Sequence, residues 1–126
     1  MGRIRELVGG CGADFDILSG DDATAREAIF AGAQGVISVT ANVAPRAMAD
    51  MTAAALRGER ETAQAIDTGL ASLHRALFLE SNPIPAKWAL ARMGLIGPGI
   101  RLPLTELAGE HHAALERVLH ALGVLK

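Results

Sequence analysis

Apolar residues recur along this chain at two spacings. A short, mainly apolar run, Phe15-Asp16-Ile17-Leu18-Ser19, is bounded by Gly12 and Gly20, and a β-branched run, Val36-Ile37-Ser38-Val39, follows Gly35. Short apolar runs between glycines predict buried strands. Between them, Asp21 and Asp22 offer an N-cap and first-turn negative charge for a helix over residues 22–31, with Ala25, Ala28, Ile29 and Gly32 as its close-packing face. A strand–helix–strand passage of roughly 25 residues is too long for a hairpin and long enough for a right-handed parallel crossover. The segments after the two strands, Ser19 to Asp22 and Thr40 to Asn42, are then expected to share one rim, the place where parallel α/β folds carry their ligand.

Elsewhere the period is helical. Residues 3–8 read as the end of a helix stopped by Gly9-Gly10. Pro45 suits a first turn, and Ala44, Met48, Met51 and Ala55 repeat at helical spacing up to Gly58. The longest helix is expected over 59–79, where Ile66, Leu70, Leu73 and Leu77 form one apolar stripe. Asn82-Pro83 reads as a cap and first-turn proline for a helix to Met93, closed by Gly94. An irregular stretch over 97–105 precedes a last helix over 109–122, with Leu115, Val118, Leu119 and Leu122 inward and Gly123 closing it.

Two parallel strands do not make a stable sheet, because parallel sheets are covered on both faces and seldom so small. The pattern therefore reads as the end of a larger α/β unit with a helical appendage. Composition narrows the chemistry. Twelve basic and fourteen acidic residues give a net charge of −2, so a strongly basic nucleic-acid binder is not expected. A single cysteine, Cys11, rules out an internal disulfide and suits a reducing compartment. No continuous apolar run has membrane-spanning length and no signal core follows the charged N-terminus, so a cytoplasmic chain without membrane partners is expected. There is no tyrosine to act as a phenolic acid or base, and the only lysines are Lys87 and Lys126.

The runs Leu18-Ser19-Gly20-Asp21-Asp22-Ala23 and Gly35-Val36-Ile37-Ser38-Val39-Thr40-Ala41-Asn42 resemble the late-barrel region of the dihydrodipicolinate synthase family. Downstream, Ser81-Asn82-Pro83-Ile84-Pro85-Ala86-Lys87-Trp88-Ala89 and Arg101-Leu102-Pro103-Leu104 resemble that family's C-terminal helical domain. Related pyruvate-dependent lyases such as N-acetylneuraminate lyase share the fold, but the stretches around Asn42 and Asn82 favour the synthase. The resemblance implies the C-terminal portion of a (β/α)8 barrel, its last two parallel strands, followed by a helical domain. Residues 1–57 would be the partial barrel and residues 58–126 the helical domain. It implies condensation of pyruvate with aspartate semialdehyde in lysine biosynthesis through a lysine imine that serves as an electron sink. It also implies a homo-oligomer, and substrate-binding roles for Gly20, beside the pyruvate pocket, and Ile37, through its backbone carbonyl. Asp21 and Asp22 are weaker rim candidates.

Neither the imine lysine nor the relay tyrosine of that family has a counterpart here, so no catalytic residue is assigned and the chain alone is expected to be silent. A pyruvate pocket is expected only on completion by the missing barrel half. No cofactor and no metal site are expected. Lys87, in the first turns of a helix beside Trp88, reads as a snorkelling surface lysine. Asp21 and Asp22 are adjacent and cannot face one another, so capping outweighs paired acid–base work. His112, Glu116 and His120 share one helix face that reads as solvated, and His74 reads as partly exposed. Cys11 has no neighbour to lower its pKa, and no Gly-Lys-Ser/Thr follows its glycines, so neither a nucleophile nor a phosphate loop is expected. The alternatives are a subunit of a split aldolase, completed by an N-terminal half, and a non-catalytic helical module associating through the stripe from Ile66 to Leu77.

Overall fold

A computed structural model of the protein describes residues 1–12 and 14–125. The elements run α1 (Gly2–Gly10), β1 (Leu18–Ser19), α2 (Ala25–Phe30), β2 (Gly35–Val36), α3 (Pro45–Leu56), α4 (Arg60–Ala76), α5 (Ile84–Arg92) and α6 (Gly109–Ala121). Short 3-10 turns precede α2 (Asp22–Thr24) and α3 (Thr40–Asn42). The two strands pair in parallel, Leu18 opposite Gly35 and Ser19 opposite Val36, as the crossover spacing requires. The described residues are thus mostly helical, with a single two-stranded parallel sheet. None of the described helices is long and apolar enough to cross a membrane.

The chain divides into two compact units. The first comprises Met1–Ser38 and Arg46–Thr68. Its crossover helix α2 buries Ala25, Ala28 and Ile29, the face its alanine spacing predicts. Ile17, Ala28 and Ala33 form a small core against which Ile4, Leu7 and Val8 of α1 pack. Gly32 makes that docking possible: at φ +109°, a Cβ there would lie 2.8 Å from Val8 Cγ1. Gln34 lengthens the strand pairing, since its N–H donates to the Ile17 carbonyl at 2.8 Å and its Oε1 accepts from the Ile17 N–H at 2.7 Å. Arg26 donates from Nε to Asp67 at 2.9 Å, both side chains largely buried, and Arg60 lies 4.3 Å from the centre of the Phe30 ring. These two contacts fasten α2 to the first half of α4.

The second unit comprises Val39–Pro45 and Gly69–Lys126. Leu70 and Leu73 of α4, Leu77 just past its end, and Leu115 and Leu119 of α6 are buried, whereas their stripe neighbours Ile66, Val118 and Leu122 are only half-buried. Between α5 and α6, Trp88 stacks on His112 with ring centroids 4.8 Å apart, and Arg92 pairs with Glu116. The backbone N–H of Ala108, the N-cap of α6, donates to Glu80 Oε1 at 2.7 Å.

Several expectations need correction. Helix α1 runs through Gly9 and Gly10 and ends at Cys11, with Gly12 at φ +76° beyond it. Glycine weakens a helix by about 1 kcal/mol but ends one only where a left-handed turn is needed. The strands are two residues long rather than four or five, and Phe15 (59%), Leu18 (48%) and Ile37 (72%) are exposed rather than buried. Among the described residues each strand has one neighbour, so the apolar runs lack the second covering face that parallel strands require. Helix α5 starts at Ile84, not at Pro83: Pro83 is the N-cap and Pro85 is the first-turn proline. His74 is buried rather than partly exposed, because Thr40 gives it a polar partner inside the unit.

Candidate functional site

The site expected from the pattern lies where β1 and β2 end. At the end of β1 the chain turns through Ser19, Gly20 and Asp21. Ser19, itself buried, accepts the Asp21 N–H on Oγ at 3.2 Å and donates from that oxygen to the Asp21 carbonyl at 3.1 Å. This hydroxyl-closed turn fixes the direction in which the chain leaves the strand. Across the sheet, the Ile37 N–H donates to the Ser19 carbonyl at 2.8 Å. That bond continues the β1–β2 register by one step and sets Gly20 and Ile37 side by side at the strand ends. A Cβ placed on Gly20 would meet no described atom within 4 Å, so the ledge above it is open. The Ile37 side chain is exposed.

The two aspartates separate in role. Asp21 is exposed, occupies the N-cap position, and accepts a hydrogen bond from Thr24 Oγ1 on Oδ2 at 2.6 Å rather than from a helix N–H. Asp22, one residue on, is only 3% exposed. Adjacent carboxylates with such different burial do not act as a joint acid–base pair. The rim thus offers a bare backbone ledge, one solvated carboxylate and one buried carboxylate. These groups can orient a small polar ligand through backbone donors and acceptors. They include no amine that could condense with a ketone.

The other singled-out residues lie in the second unit or outside the site. Lys87 is half-buried on α5 and lines a cleft with Trp88, within that unit. Lys126 lies outside the described residues. His112 and Glu116 do not form a solvated face: His112 stacks on Trp88 and donates from Nε2 to the Leu107 carbonyl at 2.9 Å, and Glu116 holds Arg92. His120 is exposed and hydrogen-bonds the Leu125 carbonyl through Nδ1 at 3.1 Å. Cys11 is exposed. Sequence reasoning missed the buried Thr40–His74 contact, Oγ1 to Nδ1 at 2.8 Å. Its one readable signal was the place of His74 in the α4 stripe, directly after Leu73.

The family model for the dihydrodipicolinate synthetase family matches residues 1–122. The chain belongs to that family. It is 58% identical over 123 residues to the 4-hydroxy-tetrahydrodipicolinate synthase of Alkalilimnicola ehrlichii, covering 98% of this chain and 42% of that protein. The synthase of Pseudomonas aeruginosa is 56% identical over 123 residues, with the same coverage. Among solved structures, the chloride-inhibited dihydrodipicolinate synthase of Acinetobacter baumannii, complexed with pyruvate, superposes with a TM-score of 0.95 at 45% identity, over 98% of this chain and 43% of that one. The Aquifex aeolicus enzyme gives 0.95 at 41% identity, over 98% and 42%. The chain therefore spans about two-fifths of the length of the dihydrodipicolinate synthases that it matches.

Proposed function

We propose that this chain supplies the closing wall of a keto-acid pocket in a lyase of the dihydrodipicolinate synthase type and performs no condensation by itself. Gly20 and Ile37 contribute the ledge and backbone groups that face pyruvate, and Asp21 and Asp22 shape its edge. The observation that carries this reading is the content of the rim: aligned strand ends with an open ledge, and no lysine or tyrosine among its residues. The condensation needs an amine to form the imine and a relay to move the methyl proton, and neither is available there. In this reading residues 1–57 are the barrel part, residues 58–126 the helical domain, and the working protein is a cytoplasmic oligomer. The test is to incubate the purified chain with pyruvate and borohydride and to weigh it by mass spectrometry. No adduct is expected, and a stoichiometric adduct on Lys87 would overturn the reading.

A second reading, a split enzyme, is favoured by the exposure of Phe15, Leu18 and Ile37 around a sheet whose strands have one neighbour each among the described residues. Apolar side chains and open ladder edges of this kind suit docking of further strands. Co-expression with an N-terminal half that carries the lysine and tyrosine should give a complex that condenses pyruvate with aspartate semialdehyde. Failure to co-purify or to react would remove this reading. In the stripe that motivates the helical-association alternative, Leu70, Leu73 and Leu77 are buried and Ile66 is half-buried.

A further inference from the structure

The second unit contains a cleft of about 300 Å³ that the proposed keto-acid pocket does not use. Its size is at the lower end of the range of about 300–1,000 Å³ that small-molecule sites occupy. Its apolar walls are Ile84, Trp88, Ile100 and Leu107. Its charged groups are Lys87, Arg92 and Glu106.

These charged groups are not equivalent. The Arg92 guanidinium is engaged by Glu116 and lies 5.9 Å from the Trp88 ring centre. Glu106 is exposed, where water solvates its carboxylate. Lys87 is half-buried, and among the described residues its ammonium has no ion-pair or hydrogen-bond partner. An ammonium without a protein partner at an indole-walled cleft is stabilised by an anion brought to it, since charge-assisted hydrogen bonds are stronger than neutral ones. The wall itself is already ordered. Trp88 is stacked on His112, and His112 is held by its bond to the Leu107 carbonyl, so a ligand need not immobilise the ring.

We infer that this cleft binds a small organic monocarboxylate with an apolar body, its carboxylate on Lys87 and its hydrocarbon part against Trp88, Ile84 and Leu107. The site is independent of the strand-end ledge, so its failure leaves the keto-acid reading untouched. Trp88 is the only tryptophan and there is no tyrosine, so the emission of the full chain reports this cleft directly. The probe is 4-methylpentanoate, with 4-methylpentanamide and 3-methylbutylamine as the neutral and cationic controls. The carboxylate should change the emission saturably, with half-saturation on the order of 1 mM for a ligand this small. The amide and the amine should bind about tenfold more weakly, or not at all. Lys87→Met should weaken carboxylate binding about fivefold, and Lys87→Arg should restore most of it. Glu106→Gln should leave binding equal or tighter, because it removes a like charge from the rim. The inference is overturned if no saturable change occurs, if the amide matches the carboxylate, or if Lys87→Met binds like the parent. Should Lys87→Met lose the far-UV circular dichroism of the parent, Glu106→Gln decides: weaker carboxylate binding in that variant overturns the inference.

Discussion

Leu18 in β1 is 48% exposed and Ile37, just past β2, is 72% exposed, whereas Leu73 in α4 and Leu115 and Leu119 in α6 are 0% exposed. All five belong to apolar runs in the sequence. The difference comes from what each kind of element needs. A helix closes its own backbone hydrogen bonds and turns one stripe inward, so a few neighbouring helices suffice to cover it. A parallel strand needs a partner along both edges and cover on both faces, and here each strand has one neighbour among the described residues. The helices have built a core from within the chain, while the strand pair leaves apolar side chains exposed. The same kind of residue thus forms a closed interior in one region and an exposed apolar surface in the other.

Truncating the helical core should separate the two regions most sharply. Leu73→Ala and Leu119→Ala should each lower unfolding stability by about 2–5 kcal/mol in urea titrations, the range for large cavities in close-packed sites. An intermediate loss is expected at Asp67→Ala, about 2 kcal/mol by the same titration, because the largely buried Arg26 guanidinium would lose a carboxylate partner. Ile37→Ala should change the stability of this chain by no more than about 0.5 kcal/mol, as expected for an exposed side chain. A loss there as large as that at Leu73 would show that the strand pair already holds a finished core and would dissolve the contrast.

The smallest effect concerns Arg57 and Glu59, an exposed pair in the turn between α3 and α4. Hydrogen bonding from Arg57 holds the Glu59 carboxyl below its ordinary range, and hydrogen bonding to Glu59 raises the Arg57 guanidinium. A carboxyl lowered on folding contributes stability above its unfolded pKa and loses that contribution as pH falls through the folded value. Glu59→Gln should therefore differ slightly from the parent near neutrality and converge with it in acid below the ordinary glutamate range. Added salt should shrink the difference. Thermal melts across a pH series would measure it.

Helix positions were legible because their signals are local. Pro45, Gly58, Gly94 and Gly123 sit at the starts and ends that their backbone preferences dictate, and the last three adopt positive φ. The parallel crossover was legible from spacing alone. Burial of Phe15, Leu18 and Ile37 was misjudged because it depends on how many neighbours a strand has, which its own residues do not record. The contacts of Thr40 with His74, Arg26 with Asp67 and Trp88 with His112 join residues 34, 41 and 24 positions apart, and no local period encodes them. At the candidate site, the sequence placed Gly20 and Ile37 at the ends of the strands. It did not distinguish Asp21 from Asp22, whose burial is set by how the turn packs.

Helix α1 owns no buried residue, yet Ile4, Leu7 and Val8 lie against the Ile17–Ala28–Ala33 cluster. What indexes it is a missing atom on another element, the side chain that Gly32 lacks where Val8 enters. A methyl group at that position would act as a wedge, lifting the N-terminal helix from its seat while leaving the cluster beneath it intact. The seating of the first ten residues is thus written some twenty residues downstream, in a position that stays empty and holds a backbone conformation glycine adopts readily.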